Sequence, residues 1–211
     1  MRRLLWFGLA LTVAVCMNSL PARASVIYSN LNSGSPTYDC CDAYVVNSTE
    51  EMGFQFTAVI GGPVSQVDVG LSTVASGNVT VSLWTAGDGV PGTQLGSWNV
   101  ASPAQIYGSG GLALTTISDL AGPSLTAGQT YFLAISVSGG TDIVWNWNTG
   151  ASGPYAWSSN GGTNWSSLGS DRLGAFDILG ASSGVPEPAT FLLLGSGVLC
   201  VLLRPRKRAA R

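Results

Sequence analysis

Histidine is absent from the 211-residue sequence, and its absence excludes several kinds of chemistry. Without imidazole, the chain can build neither a Ser-His nor a Cys-His nucleophile system, and it has no histidine-dependent metal site. Two carboxylates would be enough for glycoside hydrolysis, but nothing in the sequence selects a pair. No EF-hand or nonapeptide calcium spacing is present. We therefore expect a protein that is not an enzyme and that uses no cofactor and no metal.

Cysteine is scarce as well, and only Cys40 and Cys41 lie between the two apolar ends of the chain. Adjacent cysteines cannot close the usual long loop of a disulfide staple. Three alternatives remain: a vicinal disulfide, a bridge to another chain, or two free thiols. Asp39 and Asp42 flank the pair, and we expect a solvated loop here rather than a cation site.

Basic residues are nearly missing from the middle of the chain. Between residues 25 and 185 there are ten acidic residues and one basic residue, Arg172, which leaves a formal charge of −9. A surface with this charge has no basic patch to neutralise phosphates. Anionic lipid is therefore a poor partner for this region, and we expect no nucleic-acid partner.

The same region has few of the Lys, Glu and Arg residues that fill exposed helix faces, and it alternates apolar and polar residues instead. In "NVTVSLW", Val79, Val81 and Leu83 share one face, and "VSQVDVGLS" and "TYFLAISVS" repeat the pattern. The predicted strands are 54–59, 64–72, 78–84, 96–100, 112–118, 130–138, 143–147 and 175–179, mostly joined by Gly-rich turns. Such half-apolar strands require two facing sheets. The fold class predicted is all-β, an antiparallel, jelly-roll-like β-sandwich.

The first 24 residues have the three parts of a secretory signal. Arg2 and Arg3 precede an apolar stretch at 4–15, and "ARA" at 22–24 predicts cleavage before Ser25. A lipoprotein signal at Cys16 is the alternative, but the preceding valine is bulkier than the Gly, Ala or Ser of a lipobox. We therefore predict a signal helix at 1–24, a sandwich domain at 25–180 and a linker at 181–185.

The last 26 residues, 186–211, combine a short motif, an apolar run and a basic end. The motif is Val185, Pro186, Glu187 and Pro188, and the basic residues after the run include Arg204, Arg206, Lys207 and Arg208. The run at 189–203 would reach about 22 Å as a helix, against about 30 Å of hydrocarbon in a bilayer. We predict a transmembrane helix that anchors the chain transiently, with the basic tail at 204–211 in the cytoplasm. A permanent anchor is the alternative.

This tripartite end resembles the PEP-CTERM sorting signal. "SGNVTVSLWTAGDGVPGTQLGSWNV", "LTAGQTYFLAISVSGG" and "NGGTNW" in turn resemble the secreted β-sandwiches called choice-of-anchor domains. The resemblance implies processing by an exosortase, a membrane cysteine protease-transpeptidase, in a Gram-negative bacterium that makes exopolysaccharide. It implies a cell-surface or extracellular location, and it does not supply a biochemical activity for the domain. The same signal occurs on some proteins labelled ice-binding.

Aromatic residues concentrate in "IVWNWNTGASGPYAWSSNGGTNW", residues 143–165. Flat rings beside amide side chains are typical of sugar-binding surfaces. The candidate glycan contacts are Trp145, Trp147, Tyr155, Trp157 and Trp165. Core packing is the alternative for all of them, with Trp157 and Trp165 holding a long loop against the sandwich. Two functions follow: a non-catalytic surface or matrix protein in exopolysaccharide, or a lectin-like module that binds it.

Overall fold

Short apolar segments separated by turns form strands throughout the described part of the chain. The computed structural model describes residues 24–31, 38–75, 77–101, 103 and 105–181. Those ranges contain thirteen strands and no helix. The strands are β1 (Ser25–Ser29), β2 (Tyr38–Val46), β3 (Glu51–Thr57), β4 (Gly62–Val69), β5 (Leu71–Ala75), β6 (Asn78–Gly87), β7 (Val90–Val100), β8 (Thr115–Ile117), β9 (Ser124–Leu125), β10 (Thr130–Ser138), β11 (Asp142–Ser158), β12 (Ser166–Gly174) and β13 (Phe176–Gly180).

The strands form two antiparallel sheets. The smaller sheet has the order β1-β13-β4-β8, with β9 also paired with β4. The larger sheet has the order β12-β11-β3-β10-β6-β7, and β2 and β5 both pair with β11. Side chains from the two sheets meet in one buried cluster. This arrangement confirms the predicted all-β fold and its antiparallel β-sandwich.

The core lies between the sheets, where the alternating pattern placed it. The residues predicted to share it are all fully buried in one cluster: Val67, Val69, Val79, Val81, Leu83, Leu133 and Ile135. Aromatic rings join the two sheets, since Phe56 of the larger sheet lies 5.8 Å from Phe176 of the smaller one. Burial of these apolar side chains is the main favourable term that holds the sheets together.

The chain crosses between the two sheets at two segments that lie next to each other. Gly70 separates β4 from β5, and Ala175 separates β12 from β13. The Gly70 N–H donates to the Ala175 carbonyl at 2.9 Å, and the Asn146 side-chain amide donates to Gly70 O and to Ser72 Oγ, both at 2.9 Å. A β-carbon on Gly70 would lie 3.0 Å from the Ala175 β-carbon. Glycine is therefore needed for this close approach.

Several strands were not predicted, namely β1, β2, β9 and β12. In β12, six of the nine residues are exposed, so the strand carries almost no apolar alternation. It lies at one end of the strand order of the larger sheet, where it is held by its pairing with β11. A strand stabilised mainly by backbone hydrogen bonds leaves little signal in its sequence.

The solvated loop predicted around Asp39 and Asp42 is wrong, because both residues belong to β2. This strand pairs with β11, with a register shift that interrupts its pattern. The side chains of Cys40 and Cys41 lie outside the described part of the chain. The vicinal disulfide and its two alternatives therefore stay predictions.

The long loop predicted after residue 147 is also wrong, since β11 continues to Ser158. Asn148 explains the continuity. Its Oδ1 accepts hydrogen bonds from the N–H groups of Gly150 and Ala151, and its Nδ2 donates to the carbonyls of Ala151 and Leu173. The side chain thus satisfies backbone groups where the ladder is interrupted.

The predicted ends of the chain lie outside the described residues. These are the signal helix at 1–24, apart from Ala24, the transmembrane helix at 189–203, the basic tail and most of the linker. Residues Ala24–Ala181 form one compact unit by their contacts. Within the described ranges, no helix has the length and hydrophobicity needed to cross a membrane.

Candidate functional site

Trp145, the first tryptophan of β11, lies in the core. Its ring is fully buried, packs edge-on against Phe54 at 4.6 Å, and donates from Nε1 to the Ala175 carbonyl at 3.1 Å. The ring therefore stabilises the sheet crossing. A side chain with no exposed surface cannot contact a glycan, so the glycan contact predicted for Trp145 is wrong.

Trp147 and Tyr155 are half-buried and belong to a second group of side chains around Tyr44. The Tyr44 ring lies 5.7 Å from Trp147 and 5.6 Å from Tyr155. The Arg172 guanidinium lies 5.0 Å above the Trp147 ring, and its Nη1 is 3.8 Å from Asp39 Oδ2. We call these five residues the Arg172 cluster. In this cluster Arg172, the one basic residue of the 25–185 region, makes a cation–π contact with Trp147 and an ion pair with Asp39.

Within the Arg172 cluster, Tyr44 acts as a hydrogen-bond donor. Its hydroxyl donates to the Arg172 carbonyl at 3.0 Å. Burial raises the pKa of Tyr44 well above its usual value, and the nearby Asp171 raises it further. The phenol is therefore held in its neutral form, which carries the proton of this hydrogen bond.

Trp157 is half-buried near the far end of β11. It pairs with Met52 of β3 and with Ser166 of β12, and its side chain packs against the core cluster. Packing against the core cluster accounts for the position of its side chain. Its glycan contact remains a prediction.

Trp165 borders a cavity of about 110 Å³ on the outer face of the larger sheet. The cavity lies between β6 and β10 on one side and the loop after β11 on the other. Trp84 of β6 forms a second aromatic wall, and the two ring centroids are 6.2 Å apart with the rings at 71°. We call this cavity the Trp84–Trp165 pocket. Its polar lining includes Glu51, Thr80, Ser82, Gln94 and Ser136.

Among the described residues that line the Trp84–Trp165 pocket, Glu51 is the only acidic one, and just 7% of its surface is exposed. None of the hydrogen bonds among the described residues reaches its carboxylate, and burial raises its pKa above the ordinary range. A β-carbon on Gly162 would lie 3.2 Å from Glu51 Oε2 and 3.5 Å from the Trp165 ring. The carboxylate therefore lies beside both the loop backbone and the indole.

Local hydrogen bonds shape the pocket. Trp84 Nε1 donates to Ser82 Oγ at 2.8 Å, which orients the Trp84 ring. In the loop, Ser158 Oγ accepts from the Gly162 N–H at 3.1 Å, and Asn160 Oδ1 accepts from the Asn164 N–H at 2.9 Å. Trp165 Nε1 differs, because it is buried and has no partner in the described structure. The pocket thus holds an unpaired donor as well as an unpaired carboxylate.

Sequence reasoning missed Trp84 and Glu51. For Trp84 a signal was available, since it follows Thr80 and Ser82 on the face opposite the core residues of β6. An apolar ring on a polar, outward face indicates a partner. For Glu51 the sequence offered no such signal. As for metals, the described residues include no group of three or more Cys, Asp or Glu side chains placed to hold an ion.

The described part of the chain is thus a β-sandwich domain with an aromatic pocket on its outer face. The model of the PEP-CTERM protein-sorting motif matches residues 184–207. The chain therefore carries a PEP-CTERM sorting motif at its C-terminal end. No curated protein and no solved structure matches the chain. The likeness to choice-of-anchor domains accordingly remains a prediction.

The motif match contains the predicted sorting residues. It includes Val185, Pro186, Glu187 and Pro188, the apolar run at 189–203, and Arg204, Arg206 and Lys207; Arg208 is the next residue after it. All of these lie outside the described residues. A PEP-CTERM motif implies processing by an exosortase, and hence export to the cell surface or the exterior.

Proposed function

We propose that this chain is a non-catalytic protein of the cell surface or extracellular matrix that associates with exopolysaccharide. The observation that carries the proposal is the PEP-CTERM match at 184–207. The absence of histidine and the formal charge of −9 between residues 25 and 185 agree with a binding or structural role outside the cell. In this proposal the run at 189–203 anchors the chain in the inner membrane until the exosortase acts.

A lectin-like function is the second candidate, and two features of the domain favour it. The Arg172 cluster presents half-buried rings beside charged groups, and the Trp84–Trp165 pocket places indoles beside an unpaired carboxylate. Rings that pack on C–H groups, next to polar atoms that bind hydroxyls, are suited to sugars.

Mass spectrometry of the protein exported by the producing host tests the proposal. We expect a chain that begins at Ser25 and lacks the segment from 191 to 211. The same sample, sedimented with the host's purified polysaccharide, should appear in the polysaccharide fraction. An intact tail on extracellular protein would refute the sorting mechanism. Sedimentation equal to that of an unrelated acidic protein would refute the association with polysaccharide.

A further inference from the structure

The Trp84–Trp165 pocket holds a carboxylate that receives no hydrogen bond from the described residues. Glu51 is more than nine-tenths buried, and no described residue donates to its carboxylate. Removing an ionised carboxylate from water without a compensating partner is unfavourable. Arg172, the one basic residue between 25 and 185, is engaged with Trp147 and Asp39 in the Arg172 cluster. A cationic ligand would therefore supply a partner that the described residues do not.

The two indoles favour the same kind of ligand. Their rings meet at 71° with centroids 6.2 Å apart, so they form a corner rather than a closed stack. The face of an indole carries negative charge and attracts a cation placed over it. The hydrogen bond from Trp84 Nε1 to Ser82 holds one wall of the corner in place. A cationic group in the pocket would therefore interact with the carboxylate and with an aromatic face.

The remaining polar atoms suit a hydroxylated ligand. Gln94 and Ser136 provide groups that both donate and accept, and Thr80 Oγ1, which donates to Asn99 Oδ1 at 2.9 Å, can still accept. The volume of about 110 Å³ is below the roughly 300 to 1,000 Å³ of sites that enclose a whole drug-sized molecule. The pocket can thus take one end of a larger molecule, such as a single sugar residue of a chain.

We propose that the Trp84–Trp165 pocket binds an amino sugar residue through its protonated amine. Glu51 pairs with the ammonium group, and the indoles of Trp84 and Trp165 contact the cation and the sugar ring. The proposal rests on the association with exopolysaccharide proposed above, and it specifies a residue type in that polymer.

Three tetrasaccharides test the proposal with the exported protein: β-1,4-linked glucosamine, its fully N-acetylated form, and β-1,4-linked glucose. Binding is measured by titration calorimetry at pH 6, where the free amines are protonated. We expect the glucosamine tetramer to bind at least about tenfold more tightly than the other two, because neither of them carries a cation. Equal binding of all three, or no binding, would overturn the proposal.

Glu51→Gln and Glu50→Gln form a matched pair of variants. They change the net charge equally at adjacent positions, but the Glu50 carboxylate accepts a hydrogen bond from Asn47 at 2.8 Å and does not line the pocket. Glu51→Gln should weaken binding of the glucosamine tetramer at least about tenfold, and Glu50→Gln should change it by less than about twofold. Equal losses in the two variants would indicate a non-specific effect of charge and overturn the proposal.

Trp165→Ala tests the pocket independently of Glu51, because it removes one aromatic wall and leaves the carboxylate in place. We expect a several-fold loss of affinity for the glucosamine tetramer; unchanged affinity would contradict the proposed contact. A lysine-containing peptide that binds more tightly than the tetramer would overturn the sugar assignment in favour of a protein partner. If the protein sediments with host polysaccharide but does not bind the glucosamine tetramer, the proposed amino-sugar site is refuted while the proposed function stands.

Discussion

Leu133→Ala offers the most direct test of the sandwich core. Leu133 lies on β10 and is fully buried. Its neighbours across the ladder are Phe54 of β3 and Leu83 of β6, which are also fully buried. Because β10 is hydrogen-bonded on both sides, the neighbouring backbones cannot move in to fill the space that the substitution leaves.

The expected loss of stability follows from this position. Leucine-to-alanine substitutions in cores cost about 2 to 5 kcal/mol, and the cost rises with the volume of the cavity that remains. The constrained neighbours place Leu133→Ala at about 3 to 5 kcal/mol. For a domain of this size, such a loss corresponds to a fall in Tm of roughly 6 to 20 °C.

Urea unfolding of the exported protein, followed by tryptophan fluorescence, measures the change. Leu168→Ala is the matched control, because Leu168 lies on β12 and is 50% exposed. We expect the control to change the free energy of unfolding by no more than about 0.5 kcal/mol. A loss below about 1 kcal/mol at Leu133, or equal losses at both positions, would refute the assignment of Leu133 to the core.

Three further predictions concern the tail, the sheet crossing and pH. Glu187→Ala should leave export intact but block processing, so that host fractionation finds the uncleaved chain in the membrane; unchanged release would reject the sorting role of Glu187. Leu193→Asp should instead weaken membrane insertion, by about 2.5 to 3.5 kcal/mol, and fractionation should then find less chain in the membrane. Gly70→Ala should destabilise the domain by about 1 to 3 kcal/mol in urea, because the new methyl group would lie 3.0 Å from the Ala175 β-carbon; wild-type stability would contradict this crowding. Burial holds the folded-state pKa of Glu51 above its ordinary 4.5, so wild-type stability should fall as the pH rises from 4.5 through that pKa. Glu51→Gln should therefore be more stable than wild type at pH 7 and lose that advantage below about pH 4. Urea unfolding curves of both proteins at the two pH values measure this difference. An equal difference in stability at both pH values would show that titration of Glu51 is not the cause.

Much of the fold could be predicted because the relevant signals are local in the sequence. Strand alternation depends on residues two positions apart, and it correctly assigned the core faces of β4, β6 and β10. The sorting tail is likewise a contiguous segment whose motif, apolar run and basic end follow one another. The matched span 184–207 agrees with that prediction.

Sequence reasoning failed where pairing rather than composition forms a strand. β12 has six exposed residues and is held by its backbone pairing with β11, and the bulge at Asn148 let β11 continue where a loop was predicted. Trp145 and Trp147 are two positions apart, a spacing that places both side chains on one face of a regular strand. The structure buries Trp145 completely and leaves Trp147 half-exposed, with a register shift beside it.

The candidate site was decided by tertiary structure alone. Glu51, Trp84 and Trp165 belong to β3, to β6 and to the loop after β11, so no local pattern relates them. They meet because β10 pairs with both β3 and β6, and because the loop after β11 returns over the outer face of that sheet. The burial that raises the pKa of Glu51 exists only once these elements pack together, since desolvation depends on all of the surrounding atoms.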